Sequence, residues 1–360
     1  GGEKKEDAKA SDVIKVGVFL PLTGDNAAGG ELELRGIKLA NKLHPEVLGK
    51  KIELVVADNK SDKAEAASVA ARLIEKDKVS VIVGSYGSSL SMAAGNIVKD
   101  SKVPAVGTSC TNPQVTANND YYFRACFIDP FQGTVMANFA KNDLQATKAA
   151  ILIDNSSDYA KGLAEFFKKA YTEKGGTVVI EESYLQKDSD FKAVLTKIAA
   201  AKPEVIYVPG YYEEVGKICK QARELGITVP IIGGDGWDSP KLVEIAGASS
   251  LNNTYFTNHY SPDSTNEASK AFVNTYAKTY KQKPDAPAVL GYDGAMLLAD
   301  SIKRAGVYES AKVAEALAAT KDFQAVTGKT SLDASHDAVK SAVIVGFKDG
   351  KQVYRATVNP

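Results

Sequence analysis

The sequence has few cysteines, few histidines and no net charge. Its 360 residues contain three Cys, three His and one Trp, and 44 Lys and Arg balance 44 Asp and Glu. Cys110, Cys126 and Cys219 are too few and too scattered for a zinc site or a disulfide scaffold, although two of them could pair if the fold brings them together. A zero net charge argues against a nucleic-acid-binding protein, because such a protein needs a surplus of Lys and Arg.

The sequence also lacks a long apolar segment. Its longest apolar runs, such as Ser341–Phe347, fall far short of the roughly 20 residues of a membrane-spanning helix. With 44% hydrophobic and 24% charged residues the composition is that of a globular protein, and the length predicts two or three domains. The first residues, Gly1–Asp12, offer nothing to bury. We expect them to be a flexible tether or a remnant of cloning, with any signal peptide already removed.

The motifs of common enzyme classes are missing. Gly328-Lys329-Thr330 resembles the end of a P-loop, but Phe323 stands where that loop needs glycine. No G-x-G-x-x-G motif follows a predicted strand. Thr111 replaces the last glycine of a nucleophile elbow that would begin at Gly107. Because the histidines are also not spaced for a metal, we predict no catalytic residues, no cofactor and no metal site.

Short β-branched runs alternate with amphipathic stretches from Val13 onward, which predicts right-handed βαβ units and mostly parallel sheets. The predicted strands form two series at a nearly constant offset, so we expect two similar α/β lobes. The first series is Ile14–Leu20, Ile52–Ala57, Val79–Gly84 and Val103–Gly107, and the second is Ala149–Ile153, Thr177–Tyr184, Val205–Gly210 and Val229–Gly233.

Helical spacing predicts six helices between these strands and three more in the last hundred residues, followed by a hairpin at Asp349-Gly350. These last elements do not begin a third lobe, so we expect the chain to cross between the two lobes more than once. The predicted helices are Glu31–Leu43, Lys63–Asp77, Leu90–Asp100, Tyr159–Lys174, Phe191–Ala201, Tyr212–Leu225, Glu267–Lys281, Ala288–Ala305 and Ser310–Ala319, and the hairpin strands are Ala342–Lys348 and Gln352–Ala356.

Small polar residues follow the third and fourth strands of the first series, in the loops Gly84–Ser89 and Thr108–Asn112. Open α/β sheets bind ligands at the carboxyl ends of their strands. Hydroxyls and free backbone N–H groups at helix starts suit a carboxylate, although the same residues also cap helices that bind nothing. Two such loops on one edge favour a site for an anion. Their candidate residues are Tyr86, Ser88, Ser109, Cys110 and Thr111.

The second lobe offers a complementary set after its own strands. Tyr159 and Tyr211 supply aromatic rings, and Asp235 supplies a carboxylate among glycines that let a ligand approach closely. The only Trp of the chain, Trp237, follows on the same loop. Asp235 as an ordinary turn residue remains the alternative. An anion site in one lobe and a cation site in the other would suit a zwitterion.

Five segments of the chain carry a recognisable pattern: Ile14–Gly24, Gly84–Ser89, Thr108–Pro113, Tyr207–Tyr212 and Gly291-Tyr292-Asp293. In these segments the chain resembles type I periplasmic solute-binding proteins, and in particular the leucine/isoleucine/valine-binding proteins of branched-chain amino-acid ABC transporters. The resemblance runs from Val13 to the C-terminus with the motifs in the expected order. It implies an α/β fold of two similar lobes, each a mostly parallel sheet flanked by helices, joined by three crossover hinges that close on a ligand in the interlobe cleft.

The resemblance also implies boundaries for the two lobes. The crossovers are expected near Phe127–Pro130, Thr257–Tyr260 and Ser331–Val339. The expected division is a tether at residues 1–12, an N-terminal lobe of residues 13–128 and 259–335, and a C-terminal lobe of residues 129–258 and 336–360.

In this family the ligand carboxylate meets residues that match Ser88, Ser109 and Thr111. The ligand ammonium contacts an acidic residue that aligns with Asp235, together with the groups that match the Thr111 hydroxyl or the Ser109 carbonyl. Aromatic positions of the second lobe match Tyr159 and Tyr211. The complete expected ligand-binding set is Tyr86, Ser88, Ser109, Cys110, Thr111, Tyr159, Tyr211, Asp235 and Trp237.

The chain departs from the family pattern at several positions. Asp235 stands where Glu is frequent. The small residues Ala27–Gly30 stand where the family has an aromatic residue, which we expect to open the pocket for the ligand side chain. Tyr86 and Trp237 are expected to supply aromatic rings to this pocket from other directions. Cysteines of a frequent disulfide are absent, since Asn59 and Gly87 stand near their places. The ligand we expect first is an aliphatic or aromatic amino acid, followed by other small amino acids or amides.

The resemblance therefore implies a solute-binding protein rather than an enzyme. It would deliver an amino acid to the membrane permease of an ABC transporter, as a monomer, in the periplasm or at the cell surface, with a lipid anchor on a residue before Gly1. The alternatives are the ligand-binding domain of a sensor or receptor with the same fold, a binder of another small molecule such as an amide, and an enzyme on a doubly wound fold.

Overall fold

The computed structural model describes residues 12–263 and 267–360, which form two compact units. Unit 1 consists of residues 12–110, 114–126 and 271–340. Unit 2 consists of residues 111–113, 127–263, 267–270 and 341–360. No helix in this part of the chain is both long and apolar enough to cross a membrane.

Apart from the short segment Thr111–Pro113, which belongs to unit 2, the chain stays in unit 1 up to Cys126 and then passes to unit 2, next to the first expected crossover. The next change of unit comes later than expected, so residues 259–263 and 267–270 belong to unit 2 and not to the N-terminal lobe. At the start of this segment, His259 contacts Asp235 of the same unit, with their side chains 2.8 Å apart.

The third crossover also lies later than expected, so residues 336–340 belong to unit 1 and not to the C-terminal lobe. Two side chains fix this segment. Asp337 accepts a hydrogen bond from Arg124 at 2.6 Å, and the Lys340 ammonium donates to the Ala125 carbonyl at 3.0 Å.

The first third of the chain alternates strands and helices, as predicted. The predicted helix Leu90–Asp100 is two short helices, because the chain is interrupted between Ala93 and Gly95. The elements are β1 (Val13–Leu20), α1 (Ala27–Leu43), β2 (Glu46–Val47), β3 (Lys50–Asp58), α2 (Lys63–Glu75), β4 (Ile82–Gly84), α3 (Ser88–Ala93), α4 (Gly95–Ser101), β5 (Ala105–Gly107) and β6 (Tyr122–Arg124).

The middle of the chain repeats this alternation in unit 2. The elements are α5 (Asp129–Asn138), which continues in a π-helical turn, β7 (Lys148–Asp154), α6 (Asp158–Glu173), β8 (Thr177–Tyr184), α7 (Lys192–Ala200), β9 (Val205–Val208), α8 (Tyr212–Glu224), β10 (Ile231–Gly233), α9 (Pro240–Ala246) and β11 (Thr254–Asn258).

The last part of the chain contributes helices to unit 1 and a hairpin to unit 2. The predicted hairpin is confirmed, with its turn at Asp349-Gly350. The elements are α10 (Glu267–Tyr280), α11 (Ala286–Ala305), α12 (Ser310–Ala318), β12 (Phe323–Ala325), β13 (Gly328–Thr330), β14 (Ala342–Lys348) and β15 (Lys351–Val358).

Unit 1 is built on a six-stranded sheet with the order β2-β3-β1-β4-β5-β6. Only β2 is antiparallel to its neighbour. The central strand β1 is buried along almost its whole length, including Val16 and Val18, as expected for a strand covered on both faces. Since β4 and β5 are parallel neighbours, the loops that follow them lie at the same edge of this sheet.

Helices α1 and α11 cross closely within unit 1. A Cβ atom at Gly36 of α1 would press on the Ala288 carbonyl of α11, and one at Gly291 would press on the Glu33 carbonyl. Two glycines without side chains are therefore what lets the two backbones approach. This crossing also fixes Glu33, whose side chain is fully buried.

Unit 2 is built on a seven-stranded sheet with the order β15-β14-β11-β10-β9-β7-β8. The five strands from β11 to β8 run parallel, and β14 and β15 are antiparallel to their neighbours. Helix α6 begins where the Ser157 side chain accepts a hydrogen bond from the backbone N–H of Ala160. The fold class predicted from the sequence, lobes of parallel sheets flanked by helices, is confirmed.

Candidate ligand-binding residues

The loop after β5 in unit 1 is hydrogen-bonded to a buried carboxylate that the sequence did not reveal. Glu33 of α1 accepts hydrogen bonds from the hydroxyls of Thr108, at 2.5 Å, and Ser109. Since Ser109 donates its proton to Glu33, its hydroxyl oxygen is left to accept. A hydroxyl oriented in this way suits an ammonium, and its expected contact with a ligand carboxylate stays a prediction.

The loop after β4 places Ser88 at the first position of α3, where it is fully buried. Tyr86 of the same loop lies on Gly29, and a Cβ atom at Gly29 would collide with its ring. The stretch Ala27–Gly30 is the first turn of α1 and not an open loop. The expectation that this small stretch opens a pocket is thus wrong at Gly29, whose missing side chain makes room for the ring of Tyr86.

A buried ion pair fixes the loop after β5 through its backbone. The Arg124 side chain is fully buried and donates to Asp337 at 2.6 Å, to the Cys110 carbonyl at 2.7 Å and to the Thr116 hydroxyl at 2.8 Å. The Cys110 side chain itself belongs to the apolar core of unit 1. Its position corrects the expected role of Cys110 in ligand contact. All three cysteines are free and buried.

Thr111 belongs to unit 2, and its hydroxyl oxygen is buried with no hydrogen-bond partner among the residues that the structure describes. Its carbonyl accepts a hydrogen bond from the Asp129 backbone N–H at 2.9 Å. The Asn112 side chain donates to the Asp158 carbonyl at 3.0 Å. The backbone at Thr111 is therefore fixed, while its hydroxyl keeps its hydrogen-bonding capacity for a ligand.

Asp235 follows β10 in unit 2, where three side chains donate to its carboxylate. Oδ1 accepts from Tyr159 at 2.7 Å and from Gln132 at 3.1 Å, and Oδ2 lies 2.8 Å from His259 Nε2. Gln132 also accepts from the backbone N–H of Asp235, at 2.8 Å, and from the Thr257 hydroxyl, at 2.5 Å. The sequence placed Asp235 on the right loop but did not reveal this network.

The network keeps Asp235 ionised. Burial alone would raise the pKa of this carboxyl, but the hydrogen bond and charge of His259 and the hydrogen bonds of Tyr159 and Gln132 outweigh it, so that the pKa lies below its ordinary value. The opposite holds for Tyr159, because burial and the neighbouring charge of Asp235 raise the pKa of its phenol well above the ordinary value. Tyr159 therefore remains a hydrogen-bond donor.

Four neighbouring strands of the unit 2 sheet carry this group at their carboxyl ends. Tyr159, Tyr211, Asp235 and His259 follow β7, β9, β10 and β11, which are adjacent in the sheet order. The rings of Tyr159 and Tyr211 lie 4.9 Å apart at 32°. Tyr159 thus contacts Asp235 directly, and its ring lies beside that of Tyr211.

The Trp237 side chain is fully buried in unit 2. Its Nε1 donates to the Val208 carbonyl at 2.9 Å, and its ring lies 5.6 Å from that of Phe256. The expected position of Trp237 on an open wall of the site is corrected by these contacts, because they place the ring in the core behind the loop. We therefore leave Trp237 and Cys110 out of the candidate ligand-binding set.

Sequence reasoning missed Glu33, Gln132 and His259. Glu33 and Gln132 lie on helices far along the chain from the loops they bind, and only the fold brings them together. His259 had a usable signal, since it follows a strand, but Thr254–Asn258 was not predicted as one. In the described part of the chain no cluster of His, Cys, Asp or Glu is suited to hold a metal ion.

The family model described as periplasmic binding protein matches residues 13–352. An amino acid binding protein of Pseudomonas aeruginosa is 31% identical over 348 residues, which cover 96% of this chain and 92% of that protein. A Leu/Ile/Val-binding protein homolog of Brucella abortus is 30% identical over 349 residues, with 95% and 93% of the two chains covered. Both relatives thus match this chain over nearly their whole length.

Three crystal structures share the fold. A leucine-binding protein from Thermotoga maritima is 41% identical with a TM-score of 0.94, and it is covered to 99% by 96% of this chain. A branched-chain amino-acid-binding protein from Streptococcus pneumoniae, in complex with isoleucine, is 39% identical with a TM-score of 0.90 at the same coverage. A solute-binding protein from R. palustris, in complex with benzoate, is 26% identical with a TM-score of 0.89, and 97% of each chain is covered. Together with the family model and the two relatives, these structures show that the chain belongs to the type I periplasmic binding proteins, in the family of the leucine/isoleucine/valine-binding proteins of branched-chain amino-acid transporters.

Proposed function

We propose that this protein captures an amino acid with an aliphatic or aromatic side chain and delivers it to the permease of an ABC transporter, in the periplasm or at the cell surface, without catalysing a reaction. The names of the relatives refer to amino-acid and Leu/Ile/Val binding, and the structure from Streptococcus pneumoniae, described as the substrate-binding protein of a branched-chain amino acid transporter, supports the transport role. The observation that carries the choice of an amino acid is the buried Asp235 carboxylate, because an anion held in that position suits an ammonium group.

The hydrogen-bonding state of the candidate residues supports an ammonium-bearing ligand. On Asp235, Oδ1 accepts two hydrogen bonds and Oδ2 accepts one, so that Oδ2 can accept one more. The Ser109 hydroxyl in unit 1 is oriented as an acceptor by Glu33. The buried hydroxyl of Thr111 adds a group that can donate to a carboxylate or accept from an ammonium.

We propose that one ligand engages residues of both units, as the family resemblance implies. Ser88 would donate to the ligand carboxylate from the start of α3, while Asp235 accepts from the ammonium. Tyr159 and Tyr211 would line the space beside the ammonium. Replacement of a residue in either unit should then weaken the binding of the same amino acid.

A second candidate ligand is an aromatic carboxylic acid without an ammonium group. The structure from R. palustris, which is in complex with benzoate, favours this candidate at 26% identity. The buried anionic network around Asp235 speaks for the amino acid, because a benzoate-like ligand has no cation to place next to it.

Isothermal titration calorimetry with the twenty amino acids and benzoate tests the proposal. We expect an aliphatic or aromatic amino acid to bind more tightly than benzoate. Asp235→Asn should weaken it by about 3–5 kcal/mol, a few hundredfold or more, because a buried charge loses its partner. Ser88→Ala should cost roughly 1–3 kcal/mol, as for one hydrogen bond to a charged group.

Glu204→Gln is the matched control. The Glu204 carboxylate also accepts from neighbouring groups, at 2.7 Å from the Thr147 hydroxyl and 2.9 Å from its backbone N–H, but it lies at the amino end of β9, opposite the candidate residues. This variant should bind the amino acid normally. Binding of benzoate alone, or unchanged amino-acid affinity in Asp235→Asn, would contradict the proposed function.

A further inference from the structure

His259 lies against Asp235 in a fixed position. Its Nε2 is 2.8 Å from Asp235 Oδ2, and its ring stacks on Phe127 with centroids 4.0 Å apart at 25°. The Asn258 side chain accepts a hydrogen bond from the His259 backbone N–H at 2.9 Å. Only 4% of the His259 side chain and 7% of the Asp235 side chain are exposed. The imidazole is therefore held in a fixed position within the candidate site.

The occupied positions on Asp235 decide where an ammonium can bind. Tyr159 and Gln132 fill the two acceptor positions of Oδ1, so that only Oδ2 can accept from a ligand. Oδ2 is also the oxygen that His259 contacts. Two donors on one oxygen, at ordinary hydrogen-bond lengths, stand about 4–5 Å apart. A ligand ammonium on Asp235 must therefore lie next to the imidazole.

We propose that His259 sets the charge class of the ligand: as a neutral imidazole it leaves the negative charge of Asp235 to an ammonium, and as an imidazolium it takes the place of that ammonium. The neutral pair carries one negative charge and complements a zwitterionic amino acid. The protonated pair has no net charge, and an ammonium beside it meets a like charge at close range. The inference rests on the proposed function, since it concerns an amino acid bound at Asp235.

The other charged groups near the ring are acidic. Asp129 reaches the network through Gln132, whose Nε2 lies 2.8 Å from its Oδ1, and Asp238 accepts from the Asn258 side chain at 2.8 Å. The contacts that the structure records for His259 in the described part of unit 2 include no Lys or Arg. The ligand is thus the cation that we expect to compete with a proton on this ring.

The competition predicts a proton release that can be measured. When an ammonium binds to the protonated form, the proton leaves Nδ1 of His259 for the buffer, while Nε2–H keeps its hydrogen bond to Asp235. Low pH favours the protonated form of an imidazole, so amino-acid affinity should fall as the pH is lowered. At most one proton is released per ligand, and Kd should rise at most tenfold per pH unit.

Titration calorimetry of the full chain between about pH 5.5 and pH 8 tests this inference, with L-isoleucine as the first probe. If isoleucine does not bind, the best-bound member of the amino-acid panel replaces it. Each titration is run in phosphate and in Tris, whose different ionisation enthalpies reveal the protons released. We expect up to one proton on the acidic side, together with a rise in Kd.

His259→Gln should remove both effects, because Gln can donate from Nε2 to Asp235 but cannot become charged. His336→Asn is the matched control. His336 also stacks on a phenylalanine, Phe123, with centroids 4.0 Å apart at 14°, but its Nδ1 meets a carbonyl of unit 1, that of Tyr122, at 2.9 Å. Its positive φ of 69° is one that Asn tolerates. This variant should keep the proton release of the unchanged protein.

The outcomes separate the two proposals. If an amino acid binds but its Kd and buffer dependence do not change over this pH range, the role of His259 is overturned while the proposed function stands. A pH dependence that persists in a folded His259→Gln variant overturns it as well. If no amino acid binds at any pH, or only benzoate binds, the proposed function fails and the inference fails with it. The wild-type buffer comparison needs no variant, so a variant that does not fold cannot obscure the result.

Discussion

Replacement of Arg124 by methionine removes a fully buried cation of unit 1 and keeps an unbranched side chain. Its Nε lies 2.6 Å from Asp337 Oδ1, and its other donors reach the Cys110 carbonyl at 2.7 Å and the Thr116 hydroxyl at 2.8 Å. The loss of one member of a buried ion pair costs about 3–5 kcal/mol, because the remaining charge stays buried without its partner. The Thr116 hydroxyl still donates to Asp337 at 2.8 Å, which keeps the expected loss within this range.

Urea unfolding of the ligand-free protein, followed by far-ultraviolet circular dichroism, measures this loss. The double variant Arg124→Met/Asp337→Leu should recover part of the stability, since it also removes the stranded charge. Lys168→Met is the control. The Lys168–Glu181 pair, at 2.9 Å, is slightly longer and exposed, so its loss should cost no more than about 1 kcal/mol. A loss below about 1 kcal/mol in Arg124→Met would refute the assignment of this ion pair to the stability of unit 1.

Three further predictions follow from burial and close packing. The fluorescence of Trp237 should have its maximum at short wavelength, because the ring is buried and hydrogen-bonded within unit 2. A saturating amino acid should not change this maximum, and a ligand-dependent shift of the emission would return Trp237 to the ligand-binding set. Burial raises the pKa of Cys219 to about 12, so little of the reactive thiolate is present at pH 8. Mass spectrometry should therefore show modification of Cys219 by iodoacetamide only after denaturation, and rapid labelling of the native protein would contradict this. Gly36→Ala should lower the urea midpoint because its Cβ presses on the Ala288 carbonyl. Gly95→Ala should not, because its Cβ meets only the Asn119 side chain, at an ordinary contact distance of 3.9 Å; equal effects would rule out this packing explanation.

The sequence predicted the bounds of two strands well, where a β-branched run or a turn signal marks them. Strand Thr177–Tyr184 and the hairpin strand Ala342–Lys348 have the predicted bounds, because the β-branched run and the Asp-Gly turn fix them locally. Strand Tyr122–Arg124 was missed, since three residues that end in an arginine give no strand signal. That arginine is buried only because the fold brings Asp337 to it, over 213 positions of sequence.

The candidate site was predicted in its loops but not in its hydrogen bonds. Asp235 and Ser109 stand at the expected ends of strands, and parallel sheet topology explains why. Their partners could not be predicted, because Gln132 lies 103 positions from Asp235 and Glu33 lies 76 positions from Ser109. The oxygen to which a loop hydroxyl donates its proton depends on such distant neighbours, and the sequence of the loop itself does not determine it.

The position of the single Trp has a practical consequence for experiments on the intact chain. Since the only indole lies in the core of unit 2, selective excitation at the red edge of protein absorption addresses that half of the molecule without labelling or truncation. Circular dichroism, by contrast, reports on helices and strands of both halves. A comparison of the two signals during refolding therefore gives the order in which the two halves of one unmodified polypeptide acquire their structure.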